Sequence, residues 1–336
     1  MSTLYSGIDV SKDKLDVAIT DNNRKILSNA IFENNLQGFK KLFNWIKKQS
    51  KKFEKIHFCM ESTGIYHEEI AEFLQEQKKT IVSVINPYQS KAFAGSQLIR
   101  TKNDKVDAGI LACYCAISQP QETVKLPEEV KKLRRLVRCL NSLIKTGAKE
   151  KTRLHSCKDT DVADVLKGTI KFLSESIAQV ENLIKEHVNN NEKLKHQVQL
   201  LNSIKGIGDK TAYRILAEIH IEDGKSVNVK AQVAHAGLAP REFQSGSSVK
   251  GKRKICKTGN SHLRHALYMP TMSAIQDNPI LKDFYHRLVS KGKLKMVALV
   301  AAMRKLLVLA IGVLRNDKPF DPNWIQFQQE KYLLCA

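Results

Sequence analysis

No run of about 18 uninterrupted apolar residues occurs anywhere in this chain, and its first residues lack the apolar core of a signal peptide, so the sequence offers no plain membrane span and no export signal. Paired cysteines are missing as well. The seven thiols (Cys59, Cys113, Cys115, Cys139, Cys157, Cys256 and Cys335) are odd in number and never spaced C-x-x-C. That pattern argues against a disulfide framework, and against zinc, whose sites use close pairs of Cys or His. Reduced thiols suit a cytosol, so a cytoplasmic location is expected. Negative charge is also short: 34 acidic residues face 55 lysines and arginines, a formal net charge of +21 over 336 residues. Such an excess repels itself unless a polyanion is near, and nucleic acid, rather than a membrane, is the natural partner. No internal repeat or low-complexity tract stands out. The 42% hydrophobic content is enough for two compact cores joined by a connector.

Three short apolar runs open the chain, Leu4 to Val10, Leu15 to Thr20 and Ile26 to Phe32, separated by Ser-Lys-Asp and Asp-Asn-Asn turns. They predict an antiparallel meander. A helix near Leu36 to Lys47, a strand from Lys55 to Met60, a helix from Tyr66 to Gln77, a strand from Thr80 to Ile85 and a helix from Asn103 to Ile117 follow. That order is the order of a ribonuclease-H-like fold. From Glu128 to about Val188 no strand signal occurs, and Ile170, Leu173, Ile177, Val180, Ile184 and Val188 step by three and four, which predicts a long helical hairpin or coiled coil. Its first arm is basic (Lys131, Lys132, Arg134, Arg135, Arg138, Lys145, Lys149, Lys151, Arg153). The arm suits phosphates, and it suits as well the solvated face of a dimerising helix. The remainder, from near Gln199, reads as helical apart from one Gly- and Ser-rich basic loop, Pro240 to Asn260. The implied division is 1–122, 123–195, 196–320 and a loosely attached tail, 321–336.

Four acids stand where this fold order draws them together. Asp9 closes the first strand, Glu61 closes the fourth, and Asp104 and Asp107 lie three apart at the start of a helix, hence on one face of it. Each has an ordinary explanation, since a carboxylate suits a strand end or a helix N-terminus. Together they suit hard divalent cations such as Mg²⁺ or Mn²⁺, which prefer oxygen ligands and serve in-line displacement at phosphorus.

Further on, Ile204-Lys205-Gly206-Ile207-Gly208-Asp209-Lys210-Thr211-Ala212 has the form of a helix-hairpin-helix turn, whose glycines expose backbone N–H groups to a phosphate without reading base sequence. A plain interhelical turn is the other reading. The loop Gly237-Leu238-Ala239-Pro240-Arg241-Glu242-Phe243-Gln244-Ser245-Gly246-Ser247-Ser248 runs into Lys250, Lys252, Arg253, Lys254 and Lys257. Serines beside glycine are usually flexible surface, but a hydroxyl among phosphate-binding cations can also attack a phosphodiester and store the bond energy in a covalent adduct.

Taken in order, Gly7-Ile8-Asp9-Val10-Ser11-Lys12, Glu61-Ser62-Thr63-Gly64-Ile65-Tyr66, Asn86-Pro87 and Arg100-Thr101-Lys102-Asn103-Asp104-Lys105-Val106-Asp107-Ala108, then Ile204 to Gly208, Gly237 to Arg241, Ser245-Gly246 and Lys257-Thr258-Gly259-Asn260, resemble the DEDD transposases of bacterial insertion sequences. This is the IS one-ten family, which includes RNA-guided bridge recombinases and the related Piv-type DNA invertases. The resemblance covers nearly the whole chain. It implies an α/β RuvC-like metal domain, a coiled-coil connector and a mostly α-helical transposase domain carrying a nucleophilic serine. It also implies DNA as substrate, a structured guide RNA, and a dimer or tetramer in which the metal domain of one protomer serves the serine domain of another. The family acids fall on Asp9, Glu61, Asp104 and Asp107, and its serine falls best on Ser245. Because the loop reads Ser-Gly-Ser-Ser where many relatives read Ser-Ser-Gly-Gly, Ser247 and Ser248 remain rivals. Asn103 stands where Thr is common. Two other readings use the same acids or the same strand: a Holliday-junction resolvase that activates water, and an actin-type ATPase or sugar kinase, for which no second Asp-x-Gly phosphate loop is found.

Overall fold

The computed structural model describes residues 3–23, 25–50, 53–62, 64–98, 103–219, 221, 228–242, 244, 245, 249, 250 and 254–323, and of 244, 245, 249 and 250 the backbone alone. Two compact units make up the chain, Met1–Lys125 and Leu126–Ala336.

The first unit is built on one five-stranded sheet. Strands β1 (Thr3–Val10), β2 (Lys14–Thr20) and β3 (Ile26–Glu33) form the expected antiparallel meander, and β4 (Lys55–Glu61) and β5 (Thr80–Ile85) join β1 in parallel, giving the order β3-β2-β1-β4-β5. Alternation along each strand sorts the side chains into two layers. Leu4 and Ile8, Leu15, Val17 and Ile19, and Phe58 and Met60 pack on one face with Phe39, Leu42, Phe43 and Ile46 of helix α1 (Leu36–Gln49) and with Ile70 and Leu74 of α2 (Glu68–Gln75). Each such fully buried side chain contributes about 1.5–3 kcal/mol. The alternate positions (Tyr5, Gly7 and Asp9; Asp16 and Ala18; Cys59 and Glu61) are left for the opposite face. There Tyr5, Cys59 and Ile85 pack against Leu111, Tyr114 and Cys115 of α4 (Asp104–Ser118).

Helix α4 comes unusually close to the sheet. A methyl group placed on Gly7 would stand 2.1 Å from the Ala108 carbonyl oxygen and 2.2 Å from the Ala112 nitrogen. Ala18, Ala108 and Ala112 complete this seam of small residues. Asn103 starts the helix by accepting from the Val106 N–H at 2.8 Å.

Two local differences from the sequence reading stand out. Helix α2 begins at Glu68 rather than Tyr66, because Gly64 (φ +66°) turns the chain first. A helix the pattern did not reveal, α3 (Pro87–Ser96), follows β5, capped by Asn86 and started by proline. Ser90 is its one buried residue, so it has no apolar stripe to find.

The second unit is helical. Helices α5 (Glu128–Ser156) and α6 (Thr160–Asn189) form the long hairpin, and its base (Val130, Leu133, Val137, Leu140, Ile184, Val188) enters one continuous core with α7 (Glu192–Asn202), α8 (Asp209–Glu218), α9 (Val229–His235), α10 (Ser261–Asp277), α11 (Pro279–Ser290) and α12 (Lys295–Asn316). Among the described residues α12 alone is long and apolar enough to cross a membrane, but 56% of its most apolar 18-residue stretch is buried inside the protein. The basic loop doubles back as two nested antiparallel pairs: β6 (Pro240–Arg241) with β9 (Lys254–Ile255), and β7 (Gln244–Ser245) with β8 (Val249–Lys250). Residues 324–336, most of the expected tail, lie outside the described residues.

Candidate active site

Asp9 is the second-last residue of β1, on the α4 face. Glu61 ends β4, one step beyond the Ile8–Met60 pair that joins the two strands in parallel. Asp104 and Asp107 sit in the first turn of α4. The small-residue seam brings that turn over the strand ends. The electrostatics record the result: the Asp9 carboxyl is pushed up to about 6, first by burial and then by the charges of Asp104, Asp107, Glu61 and Asp16, in that order. The other three sequence-predicted acids therefore all act on Asp9.

Asp16 and three further residues of the cluster escaped sequence reasoning. Asp16 lies directly across the hairpin from Asp9, and counting outward from the Ser11-to-Lys14 turn would have found it. Lys14 donates to Asp104 at 2.6 Å and lies 3.2 Å from Asp16, so an ammonium supplies part of the missing positive charge. Ser90 Oγ donates to Glu61 Oε1 at 2.5 Å, and Asn34 Nδ2 donates to both the Ser11 and the Tyr66 carbonyls, at 2.8 and 3.2 Å. Nothing in the sequence spacing signals these two.

No three of the described His, Cys, Asp or Glu side chains form a ready-made ligating group. The donor chemistry nonetheless fits a hard cation: the ligands on offer are all oxygen, burial and then the neighbouring acids together raise the Asp9 carboxyl to about 6, and a lysine already stands among them as counter-charge.

In the second unit the turn after α7 places Lys205 on the surface and buries Ile204 and Ile207. Gly206 (φ +101°) is required by packing, because a side chain there would meet Ala274 of α10 at 2.6 Å. Gly208 caps α8 with open space around its Cα. Lys210 is ion-paired to Glu181 at 2.6 Å, and Asp209 accepts from Asn202. Arg241, Lys254 and Lys257 are exposed along the basic hairpin. Ser245 lies on its inner pair, opposite Val249, with Lys250 opposite Gln244. Ser247, Ser248, Lys252 and Arg253 lie outside the described residues.

The base of that hairpin is held by the two motifs that flank it. The Lys257 N–H donates to the Gly237 carbonyl at 3.2 Å and the Asn260 N–H to the His235 carbonyl at 2.6 Å. Gly259 sits so close to the His235 carbonyl that a Cβ would come within 2.2 Å of it. Beneath lies a buried polar group: Glu218 accepts from Asn260 at 2.7 Å and from both Nε and Nη2 of Arg138 at 3.3 Å. Burial alone would raise the Glu218 carboxyl, but Arg138, Asn260 and Arg134 hold it below the usual range. Three cations of the basic arm thus turn inward: Arg138, Arg134, which donates to the Ala217 carbonyl at 2.7 Å, and Lys131, paired with Glu128 at 2.7 Å.

Acids gathered at the ends of parallel strands, in a chain of formal net charge +21, suit the class of enzymes that process nucleic acid. Residues 6–160 match a family model described as "Transposase", and residues 198–286 match one described as "Transposase IS116/IS110/IS902 family". The pilin gene-inverting proteins of Moraxella bovis and Moraxella lacunata are each 35% identical to the chain over 96% of it and 98% of their own length. An insertion element IS110 uncharacterized 43.6 kDa protein of Streptomyces coelicolor is 30% identical over 36% of the chain and 30% of its own length. The chain belongs to the IS110 family and is a DNA transposase or recombinase enzyme.

Proposed function

We propose that this protein is a site-specific DNA recombinase in which Asp9, Glu61, Asp104 and Asp107 hold Mg²⁺ or Mn²⁺ and Ser245 is the nucleophile. The observation that carries the reading is the convergence of acids on Asp9, at adjacent strand ends and the first turn of α4: after burial, Asp104, Asp107, Glu61 and Asp16 all raise its carboxyl. The sheet order β3-β2-β1-β4-β5, with the acids at adjacent strand ends, supports calling the first unit RuvC-like. A connector over 123–195 and a serine-bearing domain over 196–320 complete this reading, in which the Gly206–Gly208 turn is a helix-hairpin-helix element. Divalent cations, when bound, supply charge neutralisation at the attacking and leaving oxygens of the displacement.

The chain's own residues carry the rest. The four carboxylates would hold the cation, and the basic residues of the hairpin and turn (Lys205, Lys210, Arg241, Lys250, Lys252, Arg253, Lys254, Lys257) fix the DNA backbone without reading its sequence. The Ser245 hydroxyl gives up its proton as its oxygen bonds to phosphorus, and the bond from phosphorus to one sugar oxygen breaks, that oxygen taking up a proton. Attack by a sugar hydroxyl of the exchanged strand then reverses the step, so rejoining needs no external energy. The likeness to pilin gene-inverting proteins over nearly their whole length supports inversion of a DNA segment as the outcome. The insertion-sequence family model supports transposition as the other outcome; on this reading a structured guide RNA is bound and the protein acts as a homo-oligomer.

The test is a denaturing gel of protein incubated with its own flanking DNA and Mg²⁺. A covalent protein–DNA adduct is expected in the native protein and absent in Ser245→Ala, with DNA binding retained. An adduct persisting in that variant moves the nucleophile to Ser247 or Ser248, and cleaved ends without any adduct point to hydrolysis. RNA extracted from the purified protein at high salt separates the outcomes: a discrete structured RNA supports guided transposition, and none supports inversion by direct readout.

A further inference from the structure

Two exposed tyrosines lie on the segments that follow β4 and β5. Tyr66 is 44% exposed and Tyr88 60% exposed, with Ile65 (65%) next to the first. Neither ring belongs to a core cluster of the first unit.

Their placement is fixed by the same atoms that build the acid cluster. Tyr66 lies five residues beyond Glu61 and Tyr88 three beyond Ile85, and Glu61 and Ile85 are register partners in the parallel pair β4–β5. Both loops therefore leave the sheet at the edge that carries Asp9 and Glu61. The Ser62 N–H donates to the Ile85 carbonyl at 2.9 Å, carrying the pairing one residue past the strands. Asn34 ties the Tyr66 carbonyl to the turn directly after Asp9-Val10, and Ser90, in the first turn of the helix that Tyr88 opens, is bonded to Glu61. Exposed Lys12, Lys91 and Lys105 each lie within one residue of a cluster member: Ser11, Ser90 and Asp104.

We infer that Tyr66 and Tyr88 form a stacking platform for unpaired DNA bases next to the scissile phosphate, so that the acid edge takes a strand already melted out of its duplex. The inference rests on the DNA-processing reading above and names the state of the substrate. Exposed rings on segments at a sheet edge that also carries exposed lysines match a base attached to a phosphate. An apolar protein partner would gain nothing from the lysines, and paired bases in a duplex present no open face to a ring.

The test is fluorescence anisotropy of the full-length protein with a labelled oligo-dT, with the same oligonucleotide made abasic at its central positions, and with a duplex of equal length. Substituting each ring by Ala lowers oligo-dT affinity about tenfold, and the double substitution more. Duplex affinity stays within about twofold, and Tyr66→Phe and Tyr88→Phe retain binding. The abasic strand binds weakly and equally to native protein and Ala variants. Because both side chains are exposed, the Ala variants are expected to melt with the native protein, which separates loss of binding from loss of fold. Equal losses on single strand, abasic strand and duplex, or no loss on any of them, overturn the platform. Failure of the recombinase reading looks different: Tyr-dependent binding of oligo-dT without metal-dependent cleavage.

Discussion

Two carboxylates of this chain, one half-buried and one buried, are driven in opposite directions. Asp9, in the first unit, is surrounded by acids and its carboxyl is raised to about 6; Glu218, in the second, is surrounded by Arg138, Arg134 and Asn260 and is lowered. Both sit in regions whose backbone is well held, so the contrast is one of purpose. Glu218 has its partners within the fold and serves stability, clamping α8 to α5 and to the base of the basic hairpin. Asp9 is placed at the expense of stability, Lys14 supplies only part of the counter-charge in its cluster, and on the proposed reading a divalent cation supplies the rest. A perturbed carboxylate that the protein itself leaves unsatisfied marks a site for a ligand, whereas one it satisfies marks a joint.

That contrast can be broken by substitution. The largest effect belongs to Asp9→Asn, which is expected to lower metal-dependent DNA cleavage by about a thousandfold or more. The melting temperature should hold or rise, and the stabilisation given by millimolar Mg²⁺ should shrink. A clear fall in melting temperature would place Asp9 with Glu218 instead. Next comes Gly7→Ala, which forces α4 off the sheet: a loss of up to about 3 kcal/mol in urea unfolding is expected, with cleavage lost alongside. Glu218→Gln should do the reverse of Asp9→Asn, costing about 2 kcal/mol by leaving the partly exposed Arg138 without its counter-charge. Cleavage per folded molecule should be close to native. The smallest effect sharpens the picture within the first unit. His57, paired with Ser83 at 2.8 Å, is pulled down to about 4 by burial. Its neutral form belongs to the folded state, so its contribution is full above about pH 6.5, the unfolded value, and is lost as pH falls toward 4. About 1 kcal/mol less stability at pH 5 than at pH 7.5 is expected, and His57→Gln should flatten that slope.

How far the sequence spoke for itself follows the same division. Alternation of apolar residues in β1, β2 and β4 was plain, and the four acids could be assigned to strand ends and a helix start. The antiparallel turn at Ser11 to Lys14 also contained the position of Asp16, although the reading passed over it. Helix α3 was hidden because it buries only Ser90, leaving the Asn86-Pro87 start signal without an apolar stripe behind it. The Glu218–Arg138–Asn260 group was out of reach, since its members are 80 and 42 residues apart and join elements whose packing no local pattern reports. In the Gly206 turn the glycine was legible but its reason was not: the residue is small because Ala274 is close.

The seam between β1 and α4 bears on how such a unit can be rebuilt. Its spacing is set by Gly7, Ala18, Ala108 and Ala112, none larger than a methyl group. Acids from the strand and acids from the helix are thus in register only while that spacing holds. A chimera that grafts the first sixty residues of a relative onto this chain exchanges one wall of the seam without the other. Strand and helix would have to travel as one cassette, from residue 3 through residue 118, for a hybrid to keep its acids in reach of one another.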